Sequence, residues 1–251
     1  MKTHIFNLTF FVLILLCGNL YAQDITIGAK GGFGIPNLTA GGTQNPVNAG
    51  YSSRFGPDFG IFGEYHFSKS ISMTLEIEYS SQGGQKNKYQ AYSVSADMEA
   101  AIGSPYLYAN FKSEAKMNYL LLPLMARYTW NPGEMSNTKY YAAVGPFVGF
   151  LLNAHQVTSG SSIIYLDAAQ TMPLTTNPQS FDATTNIKSD LYTFNMGVQG
   201  YFGISHTIAE GHALFLELGG NYGFLSIQKL KVNGKNYTGA AVLSIGYAYS
   251  L

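Results

Sequence analysis

Eight segments of this chain alternate apolar and polar side chains with a period of two, and no other feature limits the fold as much. The cleanest is Ile71–Ser81, where Ile71, Met73, Leu75, Ile77 and Tyr79 oppose Ser72, Thr74, Glu76, Glu78 and Ser80. A strand turns successive side chains to opposite faces, so such a segment is a strand with one greasy and one polar side. Asp24–Ile35 sets Ile25, Ile27, Ala29, Phe33 and Ile35 against Thr26, Gly28, Lys30, Gly32 and Gly34. Phe55–Phe67 sets Phe55, Phe59, Ile61, Tyr65 and Phe67 against Asp58, Gly60, Glu64 and His66. The remaining five are Asn118–Trp130, Tyr140–Leu152, Leu191–Ile204, Ala213–Ile227 and Tyr237–Leu251. The first two of these five are fairly apolar on both faces, which leaves their ends open.

The connectors alternate in length. Asn37–Ser53, Gln82–Lys116 and Asn153–Ser189 are long, whereas Ser68–Ser70, Asn131–Lys139 and Ser205–His212 are short, and Gln228–Asn236 closes the series. Antiparallel strands give this rhythm when one end of a barrel carries turns and the other carries loops. An even strand count then puts both chain ends on the short-turn side. Asn131-Pro132-Gly133 is a strong turn signal there, and Asn233-Gly234 can reverse the chain in the last hairpin. Val94–Ile102 has the pattern of a short helix within the second long connector.

Composition decides which face looks outward. Charged residues make up 11% of the chain, against about 25% in ordinary globular proteins, while aromatics reach 14% and glycines number 28. A formal net charge of zero gives no electrostatic footprint for nucleic acid, and a single Cys excludes a disulfide framework. A soluble lipocalin-like barrel would turn its apolar face inward around a ligand. Here the polar set contains Lys30, Asp58, Glu64, Glu76, Glu78, Arg127 and Glu217 with many glycines, which suits a packed, hydrogen-bonded interior. The apolar set is bulky and edged by Tyr128, Trp130, Tyr247 and Tyr249, residue types that concentrate where lipid meets water. The expectation is an all-β, eight-stranded antiparallel up-and-down transmembrane β-barrel with long extracellular loops, short periplasmic turns and lipid around it. A closed sheet satisfies every backbone amide within hydrocarbon.

Residues 1–22 read as an address. Lys2 precedes an apolar run, Ile5–Leu16, and Leu20-Tyr21-Ala22 precedes Gln23, the order of a secretory signal peptide cut after Ala22. The run is short for crossing ~30 Å of hydrocarbon as an anchor, and Leu16 before Cys17 speaks against lipidation. The expected organisation is a signal peptide over 1–22 and a barrel over 23–251.

Several segments carry a family resemblance. They are the Gly-rich opening Ile27-Gly28-Ala29-Lys30-Gly31-Gly32, then Tyr119-Leu120-Leu121-Leu122-Pro123-Leu124 and Val144-Gly145-Pro146-Phe147-Val148-Gly149, and finally Ile245-Gly246-Tyr247-Ala248-Tyr249. With the leader, they resemble the PorT-like outer-membrane β-barrel family of Gram-negative bacteria, within the OmpA- and OmpX-like eight-stranded barrels. The resemblance implies an eight-stranded barrel delivered to the outer membrane by the barrel-assembly machinery.

Glu64, Glu76 and Glu78 sit on neighbouring strands and are of a type that does acid–base work. In a narrow barrel their expected role is structural, paired with Lys30 and Arg127, because a lone buried charge costs several kcal/mol. There is no Gly-x-Ser-x-Gly or His-Glu-x-x-His, and no two His lie at ligand spacing on one face. No catalytic, cofactor or metal residue is therefore assigned. The Gly28–Gly34 run reads as packing in a crowded interior. Segments 82–116 and 153–189 remain. Tyr89, Tyr92, Tyr106, Tyr108 and Phe111 in the first, and Ser, Thr and Asn in the second, make adaptable contact surfaces. The expected function is non-enzymatic, structural or binding of a protein or glycan through these segments. A secretion-associated barrel and an outer-membrane hydrolase are the alternatives.

Overall fold

Strands form wherever the alternation was read, and they close into a ring. The computed structural model describes residues 25–42, 45–133 and 136–251; the expected signal peptide lies outside the described residues. In chain order the elements are β1 (Ile25–Gly41), β2 (Gly56–His66), β3 (Ile71–Ser93), helix α1 (Ala96–Ile102), β4 (Tyr106–Trp130), β5 (Thr138–Ser159), β6 (Ser161–Ser162), β7 (Gln179–Ser180), β8 (Ala183–Asn186), β9 (Phe194–Ala209), β10 (His212–Gly223) and β11 (Lys235–Ser250). The barrel runs β1-β2-β3-β4-β5-β9-β10-β11, each strand antiparallel to the next. It closes where β1 pairs with β11, with Ile27 opposite Tyr249 and Gly34 opposite Val242.

The polar face is the inside. Along β3, Thr74, Glu76, Glu78 and Ser80 are each 1% exposed, whereas Leu75 and Ile77 are 57% and 49% exposed. The same holds around the ring, where Phe59, Ile61, Val144, Phe202, Leu218 and Ile245 all face out. A soluble barrel with this sequence would present the opposite arrangement, so the exposed apolar band is the lipid-facing surface of a membrane barrel.

Glycine lets large rings lie against the inner wall. Phe62 is directly opposite Gly28, Tyr141 opposite Gly203, Phe147 opposite Gly197, and Phe215 opposite Gly246. A Cβ built on Gly203 would come within 2.1 Å of the Tyr141 ring, and one on Gly246 within 2.1 Å of the Phe215 ring. The ring of one strand thus covers the bare backbone of its neighbour, the packing known as aromatic rescue of a strand glycine.

The structure corrects the connectors. Segment 82–116 is mostly strand: β3 and β4 stay paired from Ile71 opposite Tyr128 to Ser93 opposite Tyr106, and only residues 94–105 form the link, carrying α1. Ser95 caps that helix by accepting from the Met98 N–H, and Gly103, at φ 72°, ends it. Segment 153–189 likewise begins as strand, since β5 runs to Ser159, and β8 pairs against its upper end at His155–Thr158. β1 continues to Gly41, and β9 runs to Ala209 before a tight turn at Gly211. β9 starts at Phe194, later than Leu191, and β10 stops at Gly223, short of Ile227. The strands that run on share one physical reason. Beyond the bilayer the outward face has no need to be apolar, so alternation fades while the backbone ladder continues.

Candidate functional site in the barrel interior

The inward residues meet at mid-height. Lys30 of β1 places its Nζ 2.6 Å from Glu76 Oε2, 3.5 Å from Glu78 Oε2 and 3.4 Å from Glu217 Oε2. Neutral donors add to these contacts: the Tyr201 hydroxyl donates to the other Glu76 oxygen, Oε1, at 3.0 Å, the Tyr141 hydroxyl to the other Glu217 oxygen, Oε1, at 3.0 Å, and Gln199 Nε2 to the Glu78 Oε2 that Lys30 also faces, at 3.0 Å. Nearer the short turns, Arg127 donates from Nη1 to Glu64 Oε2 at 2.8 Å while its guanidinium lies 3.5 Å from the centre of the Tyr141 ring. Ser72 Oγ donates to the other Glu64 oxygen. Burial makes each of these pairings costly to break, because a charge left alone in this environment is uncompensated.

Of the seven inward polar residues named from sequence, six fall into these two clusters. Asp58 is the exception. It is 2% exposed, stands opposite Ser80 across the β2–β3 ladder, and adjoins Glu78 and Lys30 without a well-formed hydrogen bond to either of its oxygens. The alternation puts Gln199 on the polar face of its strand without giving it a carboxylate partner, and it misses Tyr141 and Tyr201, although both lie at the inward parity of their strands. It also misses a third pair above the apolar band, Arg54 with Glu114, at 3.0 Å from Nε to Oε1. Glu114 falls in the 82–116 connector and Arg54 between the first connector and the Phe55–Phe67 strand, yet Arg54, Gly56 and Asp58 continue one inward series.

The clusters divide the interior. Around Lys30, Glu78, Gln199 and Glu217 the free space is about 20 Å³. A cavity of about 820 Å³ lies at the loop end and another of about 740 Å³ at the turn end. His66 lies in the turn-end cavity, where its Nε2 meets Thr26 Oγ1 at 3.0 Å. Carboxylates, one ammonium and phenol hydroxyls that satisfy one another make an arrangement suited to holding strands together.

The four interface aromatics all point outward at the turn end. Tyr128 stacks near Trp130 at 6.1 Å between ring centres, and Trp130 near Tyr140 at 6.3 Å. Tyr247 hydrogen-bonds His212, whose ring lies 4.8 Å from that of Tyr249. The five rings read as loop contacts lie on β3 and β4, and most of their faces meet other parts of this chain. Tyr89 packs near Tyr108 and Tyr165, at 6.1 and 6.0 Å, and its hydroxyl donates to the Asp167 carbonyl at 2.8 Å. Tyr92 and Phe111 close on Phe181, Phe111 lying stacked 4.4 Å from it. The Tyr106 hydroxyl donates to the Val232 carbonyl at 3.2 Å.

The family model described as outer membrane protein beta-barrel domain matches residues 21–229. No curated protein matches the chain. Among solved structures, Neisserial surface protein A is similar at a TM-score of 0.44 and 10% identity, covering 91% of this chain and 97% of that one. Ail, the attachment invasion locus protein of Yersinia pestis, is similar at 0.38 and 10%, covering 90% and 99%. The outer membrane protein OprG from Pseudomonas aeruginosa is similar at 0.39 and 13%, covering 90% and 96%.

Proposed function

The chain belongs to the outer membrane protein β-barrel domain family, and from that premise we propose that it is a closed, non-catalytic barrel presenting a rigid extracellular platform to a protein or glycan partner. The observation that carries this reading is the β3–β4 ribbon. It stays paired well past the apolar band, to Ser93 opposite Tyr106, and the long 160–193 connector is pinned to it by Tyr165 and Phe181. Ordering so much chain outside the bilayer costs conformational entropy, and a protein that merely occupied the membrane would have no use for it. Loops this long in an ordered domain are usually functional.

Closure of the interior supports the same reading, since ions and substrates have about 20 Å³ at the level of Lys30, roughly one water. The finer parts of the proposal are the PorT-like affiliation, a Gram-negative host, export on a signal ending at Ala22, and assembly by the barrel-assembly machinery. Replacing 94–105 and 160–193 by short turns tests the central claim. The trimmed protein is expected to insert and to keep a heat-modifiable gel shift, while losing the ability to complement a null strain. Full complementation by the trimmed barrel would place the function in the strands or short turns instead.

A further inference from the structure

Four basic side chains point into the barrel or its mouth and are almost wholly buried or paired there. Three have a carboxylate within 3.0 Å: Lys30 with Glu76, Arg54 with Glu114, and Arg127 with Glu64. Lys86 has none. It continues the inward series of β3 above the membrane, is 3% exposed, and forms no ion pair among the described residues. Its Nζ donates to the Val47 carbonyl at 2.6 Å and stands 4.4 Å from the centre of the Tyr51 ring. An ammonium carries three donors, so two are left for something else. Burial, with help from Lys88, lowers this group to about 8, the response of a charge that lacks a counter-ion.

Lys86 lines the upper cavity of about 820 Å³, a volume within the ~300–1,000 Å³ typical of small-molecule sites. The cavity has an apolar floor of Leu38, Met117, Leu191 and Ile227, each 5% exposed or less. Asp190 is the other charged lining residue, and its Oδ1 accepts from Ser189 Oγ at 3.2 Å. A buried unpaired cation above an apolar floor is the complement of one kind of molecule. We propose that the extracellular mouth binds a small organic anion with an apolar body, its anionic group on Lys86 and its body on the Leu38–Met117–Leu191–Ile227 floor. This goes beyond the platform role and does not depend on it.

The probe is octanoate labelled with ¹³C at the carboxyl, titrated into the full-length barrel in phosphatidylcholine nanodiscs, with empty nanodiscs as background. Saturable binding is expected, with affinity at least ten-fold weaker in Lys86→Met and largely kept in Lys86→Arg. Lys86→Met replaces an unpaired buried charge by an apolar chain of similar length, so the variant is expected to fold, and its heat-modifiable gel shift checks this. Three results would each overturn the proposal: no binding above the empty-nanodisc background, equal affinity in Lys86→Met, or 1-octanol binding as tightly as octanoate.

Discussion

Lys30 and Glu76 stand 2.6 Å apart across the barrel interior, although they come from β1 and β3, which have β2 between them. The contact is therefore made through the lumen and not along a ladder. Because the same ammonium also serves Glu78 and Glu217, Lys30→Met leaves three buried carboxylates without a cation. The expected loss is about 3–5 kcal/mol, read as an earlier midpoint in denaturant unfolding of the lipid-embedded barrel. A midpoint equal to wild type would show that Lys30 does not hold the cluster.

Arg127→Ala is expected to cost less, about 2–3 kcal/mol. Glu64 keeps the Ser72 hydroxyl, and the Arg127 side chain is 13% exposed, so water replaces part of what is lost. The ordering of the two variants is the sharper measurement. An unchanged melting temperature for Arg127→Ala would argue that its guanidinium is dispensable for Glu64.

The space of about 20 Å³ beside Lys30 predicts no large, steady single-channel current from purified protein in planar bilayers. Eight strands leave an interior that side chains fill. Regular openings of porin size would contradict the closed interior directly.

Gly203 and Tyr141 form a pair that can be tested by double mutation. A Cβ at Gly203 would meet the Tyr141 ring at 2.1 Å, so Gly203→Val should impair assembly, seen as loss of the heat-modifiable form. Combining it with Tyr141→Ala should restore part of that form, because residues in contact show coupling of roughly 0.5–3 kcal/mol. Strict additivity of the two defects would mean that the ring does not rest on the glycine.

Octanoate binding should depend on pH in one direction. Lys86 sits at about 8 without a counter-ion, so at neutral pH it already carries its charge. Above about 8 the free protein loses that proton, and binding the anion requires taking it back. Affinity should therefore be flat from about pH 6 to 7.5 and then fall towards ten-fold per pH unit. Affinity that stays constant to pH 10 would remove Lys86 from the site.

Much of this protein was legible in the order of its residues. A period of two is incompatible with helix, and bulky apolar side chains opposite Glu, Lys and Gly can satisfy both environments only if lipid is outside and the polar set inside. Strand number, facing, the turn end and the inward polar face within the apolar band followed from that local rule, whereas Arg54, Lys86 and Glu114 above it did not. The length of the strands did not, because the rule lapses beyond the bilayer: β3 and β4 continue there as a ladder with no apolar face to mark them. The partners of the charges did not follow either. Which inward residues share a height depends on the stagger of strands around the ring, which sets Lys30 of β1 level with Glu76 of β3 and Glu217 of β10. The isolation of Lys86 was decided later still, by the β1–β2 connector folding over the mouth to bring Val47 and Tyr51 to it. Alternation is a property of neighbouring residues and can be read along the chain, whereas stagger and loop closure join residues far apart in sequence and exist only once the ring has shut.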